Sequence, residues 1–79
     1  MSSYEYIADW LVEKLDVKRD LIKPEATLTD LGIDSLSVVE LVFDLEDEYE
    51  IEVPEEKVDF STLGQAAAMV DELIQAKGG

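Results

Sequence analysis

Leu31-Gly32-Ile33-Asp34-Ser35-Leu36, with the helix it opens as far as about Tyr49, decides how this chain is read. Gly32 has no Cβ, so it suits a tight turn before a helix. Asp34 carries a short acceptor of the kind that caps the orphan N–H groups of a helix start. Ser35 then falls on the first helical turn with its hydroxyl in solvent. A phosphate attached there would meet the positive end of the helix dipole and free N–H donors. Taken alone, Asp34 and Ser35 read as only a helix cap, as such pairs often are.

The following turns add a second consideration. At about 100° per residue, Val38, Leu41, Val42, Leu45 and Tyr49 share one face, an ordinary core stripe. Leu36, Val39 and Phe43 fall on another face, close to Ser35. Glu40, Asp44, Glu46 and Asp47 surround them. One apolar stripe is enough to join a helix to a core. A second, small stripe rimmed by carboxylates beside an exposed serine has the make-up of a docking patch. A helix buried on two sides is the alternative.

The run from Leu31 to Tyr49 (LGIDSLSVVELVFDLEDEY), followed by Val53-Pro54, resembles the central motif of acyl carrier proteins, with weaker similarity from Ile7 to Ile74. The resemblance implies a phosphopantetheine arm attached covalently to Ser35, flanked by Asp34 and Leu36. It implies acyl intermediates held on that arm as thioesters and delivered to fatty-acid, polyketide or specialised lipid biosynthetic enzymes. The chain itself would be no enzyme. A phosphopantetheinyl transferase would modify it, and ketosynthase, acyltransferase, reductase or dehydratase partners would present basic patches to it. Leu36, Val39 and Phe43 supply apolar contact in that reading, and Glu40, Asp44, Asp47 and Glu48 supply charge. The resemblance further implies an acyl pocket between the second and third helices, for which Val38, Leu41, Leu45, Val58 and Phe60 are the candidates. Two relatives are close rivals. A peptidyl carrier usually has Gly-Gly before its His/Asp-Ser-Leu, where Ile33 replaces the second glycine. A D-alanyl carrier lacks the Leu-Gly-Ile prefix. An acidic adaptor that is never modified is the alternative from a different class.

Composition bounds the rest. Seventy-nine residues make one small domain, residues 1–79, with a modest core. The hydrophobic fraction is 47%, which argues against wholesale disorder. With no cysteine there is no disulfide and no thiolate metal site, in keeping with a reducing cytoplasm. With no histidine there is no Ser-His-Asp triad and no imidazole metal ligand. The acidic run from Asp44 to Glu52 lacks the spacing of a calcium-binding EF-hand loop, so no dedicated metal site is expected. No apolar run approaches a membrane span, and no signal peptide precedes the fold. The absence of flanking linkers points to a discrete carrier.

The net charge is −14, and it is unevenly placed. Lys14, Lys18, Arg19 and Lys23, four of the six bases, precede the Asp-Ser-Leu turn. From Asp34 to Asp59 there are eleven acids and one base, Lys57. Such a field repels nucleic acid and anionic membranes and steers basic proteins inward. It also keeps a monomer soluble.

Along the chain, a frayed start at Met1 to Ser3 and a capping-box spacing from Ser2 to Glu5 lead into a first helix over about 3–15. Tyr4, Ile7, Trp10, Leu11 and Leu15 form its apolar side, with Trp10 a core residue. Residues 16–33 make a long first connection that Pro24 keeps from being one helix. Its scattered apolar residues pin it to the core, and short turns of helix fit near Lys18 to Ile22 and Thr27 to Leu31. A second helix over 35–49 leads to an extended Glu50 to Val53. Pro54 then opens a short third helix over 54–58, and Phe60 plugs the core. Thr62 and Gln65 have capping-box spacing for a last helix over 62–76, where Lys77 suits the negative end and Gly78 and Gly79 stop it. The expected fold class is all-α: a small antiparallel four-helix bundle with three longer helices, a short third helix and a long first loop.

Overall fold

The computed structural model describes residues 3–78. Among these residues its regular structure is helical, with three α-helices: α1 Ser3–Leu15, α2 Ser35–Tyr49 and α3 Leu63–Gly78. Two single turns of 3₁₀ helix, Arg19–Leu21 and Glu55–Lys57, lie in the connections, and the described residues contain no named strand. Ile7 and Leu11 from α1, Leu41 and Leu45 from α2, and Leu63, Ala66 and Val70 from α3 are all at most 1% exposed, so each α-helix gives its apolar stripe to one core. Trp10 joins them, buried. The Tyr6 ring meets the Tyr49 ring edge-on at 5.7 Å, and Trp10, one turn later, donates its indole N–H to Asp44, one turn earlier on α2. The two helices therefore run antiparallel.

Helix boundaries follow from local chemistry. Asp34 caps α2 by accepting the Ser37 N–H at 2.8 Å, and Gly32 before it sits at φ +73°, open to glycine at no steric cost. At the far end Glu50 takes the left-handed conformation (φ 53°, ψ 50°) although it is not glycine. The Glu50 N–H returns to Glu46, as does the Ile51 N–H at 3.2 Å, and Ile51 then drops into the core. Burying that side chain, worth about 1.5–3 kcal/mol, outweighs the roughly 1–2 kcal/mol of a left-handed non-glycine residue. At α3 the capping box is complete: the Thr62 hydroxyl accepts the Gln65 N–H, and the Gln65 side chain accepts the N–H groups of Ser61 and Thr62.

Four details differ from the sequence reading. Ser3 is not frayed. It is buried at the start of α1, and its hydroxyl donates to the Ala67 carbonyl at 3.1 Å and to the Asp71 carboxylate, tying the chain start to α3. The short third helix is one 3₁₀ turn, closed by Lys57 N–H to Pro54 and Val58 N–H to Glu55. A five-residue segment cannot repay α-helix nucleation, and i→i+3 bonds are what it can close. Residues 27–31 form a hydrogen-bonded turn rather than a helix. The last helix continues past Ala76 to Gly78. The Ser2 cap and the Gly79 stop lie outside the described residues.

The long first connection is fastened by backbone. Thr27 and Thr62 form an isolated antiparallel bridge, flanked by Leu28 N–H to Ser61 and Leu63 N–H to Ala26. Gly64 N–H reaches the Pro24 carbonyl at 2.8 Å, and a Cβ on Gly64 would stand only 3.0 Å from that oxygen, so glycine is what permits the approach. Held at Pro24 to Leu28, the connection delivers Asp34 and Ser35 to one end of the molecule.

Candidate functional site

Ser35 is the first residue of α2 and is exposed. Asp34 is exposed beside it. The backbone N–H of Ser37, with the Ser37 hydroxyl adding to it, holds the Asp34 carboxyl below the ordinary carboxylate range. The capping carboxylate thus stays ionised, next to a hydroxyl that no element covers. A group esterified to Ser35 would stand in solvent, with room for a long flexible substituent. The arrangement provides an exposed acceptor hydroxyl.

From the next residue onward along α2, Leu36, Val39 and Phe43 are 67%, 46% and 64% exposed, three of the four large apolar side chains left in solvent among the described residues. Glu40 and Asp47 are exposed and share their side of the helix. Asp44 and Glu48 are placed differently. Asp44 is half-buried and accepts the Trp10 indole N–H, and both acids line a groove against α1 together with Tyr6 and Trp10. Glu46, on the opposite flank, accepts the Val53 N–H at 2.8 Å and fastens the chain that follows α2. The patch beside Ser35 is therefore three apolar side chains with Glu40 and Asp47 nearest. Asp44 and Glu48 mark its border with α1.

The five acyl-pocket candidates divide. Leu41, Leu45 and Phe60 belong to the packed core, and Val38 and Val58 are partly buried against it. A separate groove of about 240 Å³ lies between α2 and the 53–58 segment, lined by Val39, Val42, Phe43, Val53 and Val58 with Glu46 and Glu55 at its edge. Only Val58 is common to both sets. Val42 and Val53 had no signal in the sequence that would set them apart from core residues. Their place depends on the path of residues 50–58, which the Glu50 turn and the Glu46–Val53 bond decide.

Among the described residues no group of acids could hold a metal ion, and no helix is long and apolar enough to cross a membrane. A family model described as phosphopantetheine attachment site matches residues 5–70.

Proposed function

We propose, from the premise that the chain belongs to the phosphopantetheine attachment site family, that it is an acyl carrier whose tether is Ser35. The family carries phosphopantetheine covalently on a serine. Ser35 fits that group. It is the exposed hydroxyl at the start of a capped helix, where an esterified phosphate gains from the dipole and the free first-turn N–H groups. The observation that carries the reading is this exposed serine beside an exposed apolar patch, on a helix whose other face joins the core.

In this reading the 79-residue chain is one carrier domain, a small bundle of three longer helices with the 54–58 turn as its reduced fourth member. It is itself non-catalytic, a monomer of the cytoplasm. The arm, when attached, supplies a thiol that holds acyl groups as thioesters. The chain's own residues keep that thiol's anchor in solvent and offer a contact surface. Leu36, Val39 and Phe43 give partners apolar area, and Glu40 and Asp47 steer basic surfaces, with Asp44 and Glu48 adding field from the α1 border. Such contacts make fast, short-lived complexes, as a shuttle requires. The partners we expect are a phosphopantetheinyl transferase and then ketosynthases, acyltransferases, reductases or dehydratases of fatty-acid, polyketide or specialised lipid synthesis. Val38, Leu41, Leu45, Val58 and Phe60 remain the proposed lining for a cargo chain. Entry there requires the core to part.

The test is loading. Incubated with coenzyme A and a broad-range phosphopantetheinyl transferase, the wild type gains one pantetheine arm by mass and Ser35→Ala gains none. No gain by the wild type defeats the carrier reading, and a gain by Ser35→Ala moves the attachment elsewhere.

A further inference from the structure

Among the described residues a fourth large apolar side chain is exposed, Leu21 at 53%, and it stands apart from the α2 patch. It ends the first 3₁₀ turn and borders a groove of about 270 Å³ in the long connection, lined by Leu21, Lys23, Glu25, Ala26, Asp30 and Leu31. We propose that this groove is the resting place of the chain's own phosphopantetheine arm when no partner is engaged. The inference rests on Ser35 as the attachment point.

Reach permits it. Leu31 is four residues before Ser35, so the two are at most about 14 Å apart even if the chain between them were fully extended. The arm has about as many backbone bonds as five residues, and so spans roughly 18 Å. The groove wall next to Leu31 is therefore within the tether's range wherever the intervening turn leads.

Chemistry selects it. The arm carries two amide N–H donors, two amide carbonyls, a hydroxyl and a branched apolar carbon with two methyls. The groove offers carboxylate acceptors on Glu25 and Asp30, an ammonium donor on Lys23, and apolar wall from Leu21, Ala26 and Leu31. Lys23 forms no ion pair among the described residues, so its donors are free for carbonyls. The groove between α2 and residues 53–58 is closer in kind to a hydrocarbon. Its lining is valine and phenylalanine with two glutamates and no donor side chain, and its Val39 and Phe43 belong to the surface that partners need. An arm lying in the first connection leaves that surface clear.

The chain has no cysteine, so the arm's thiol is the only thiol of the loaded protein. After loading is verified by mass, a nitroxide maleimide on that thiol, read by methyl NMR, reports where the arm spends its time. The expected result is broadening of the Leu21, Ala26 and Leu31 methyls several-fold stronger than that of Val53 and Val58. Leu21→Asp combined with Lys23→Glu, both at exposed positions, should remove most of the broadening at Leu31 while mass gain is unchanged. Broadening centred on Val39, Val53 and Val58, broadening spread evenly over the molecule, or a double variant that leaves Leu31 as broad as before overturns the proposal and leaves attachment intact. Failure to gain mass instead removes the attachment reading, and the resting place with it.

Discussion

Leu45 and Phe43 stand two positions apart on α2, and both are large and apolar. Leu45 is wholly covered by the core, whereas Phe43 keeps 64% of its surface in solvent. The same contrast separates Leu41, at 1%, from Leu36, at 67%. The helix is apolar on two sides, and only one of them is used to fold the chain. Leaving Leu36, Val39 and Phe43 largely in water forgoes the stabilisation that burying them would give. Folding alone therefore gives no reason for these three residues. The proposed docking would, and the contrast can be attacked from either side.

The largest effect is expected on the inner side. Leu45→Ala should destabilise the fold by about 3 kcal/mol, the middle of the range for a fully buried leucine whose cavity cannot close. For a domain this small the loss takes much of the total stability. Urea denaturation followed by Trp10 fluorescence measures it. A loss under about 1 kcal/mol would mean that the two faces of α2 differ less than their exposures suggest.

The outer side should respond in the opposite way. Phe43→Ala and Glu40→Lys should leave the denaturation midpoint within the roughly 0.5 kcal/mol usual for surface changes. They should instead lower kcat/KM of a partner enzyme by about tenfold, on the order of 1.4 kcal/mol of lost contact or steering. Unchanged partner kinetics at normal helicity would reject the patch.

Between the two faces lies Asp44. It reads as a docking acid by sequence, yet it receives the Trp10 N–H. Trp10→Phe should cost at least about 1 kcal/mol in stability, from the lost hydrogen bond together with the space its smaller ring leaves in the core. Asp44→Asn keeps an acceptor and should cost less. If Asp44→Asn slowed partners as strongly as Glu40→Lys does, the border drawn here between α1 contact and docking surface would be wrong.

These residues also indicate what the sequence could show. The start of α2 was legible because its determinants are local. Gly32 supplies the turn, Asp34 bonds three residues ahead, and the apolar spacing puts Leu41 and Leu45 on one face. The Thr62–Gln65 cap is local in the same sense. The contacts that escaped join residues far apart in the chain: Ser3 with Asp71, Trp10 with Asp44, Pro24 with Gly64, and the Lys77 ammonium donating at 2.9 Å to the Tyr49 carbonyl. Lys77 suited the end of its own helix, but it closes the end of α2. The 54–58 segment was read as a helix because Pro54 opens one well, while its length decided for a single 3₁₀ turn. The left-handed turn at Glu50 lacks the glycine that usually marks one, so the path carrying Val53 to Glu46 could not be drawn beforehand. The position of Ser35 at an exposed helix start was readable from neighbours within three residues; the groove beside Leu21 was not, since its walls depend on the irregular path of residues 21–31, which no apolar period describes.

The smallest expected effect concerns pH, and it asks how the α1 edge of the core differs from the acidic surface beside it. Tyr4, Tyr6 and Tyr49 all have phenol pKa values above the ordinary one, with burial the main cause in each. Nearby carboxylates add to it: Glu25 for Tyr4, Asp44 and Glu48 for Tyr6, Glu48 and Asp71 for Tyr49. A raised phenol pKa means that the unfolded chain releases its proton first as pH rises. Stability from these groups is therefore complete below about pH 10, the unfolded value, and falls as pH climbs from there through the folded values. Thermal midpoints measured from about pH 8 to 12 should decline over that upper part, in step with tyrosinate absorbance. Tyr6→Phe with Tyr49→Phe should flatten the decline. Salt separates the two causes, because it screens carboxylates and leaves burial untouched. Most of the alkaline decline should survive in high salt. If salt abolished it, the rings of Tyr6 and Tyr49 would answer to the acidic surface rather than to the core they border.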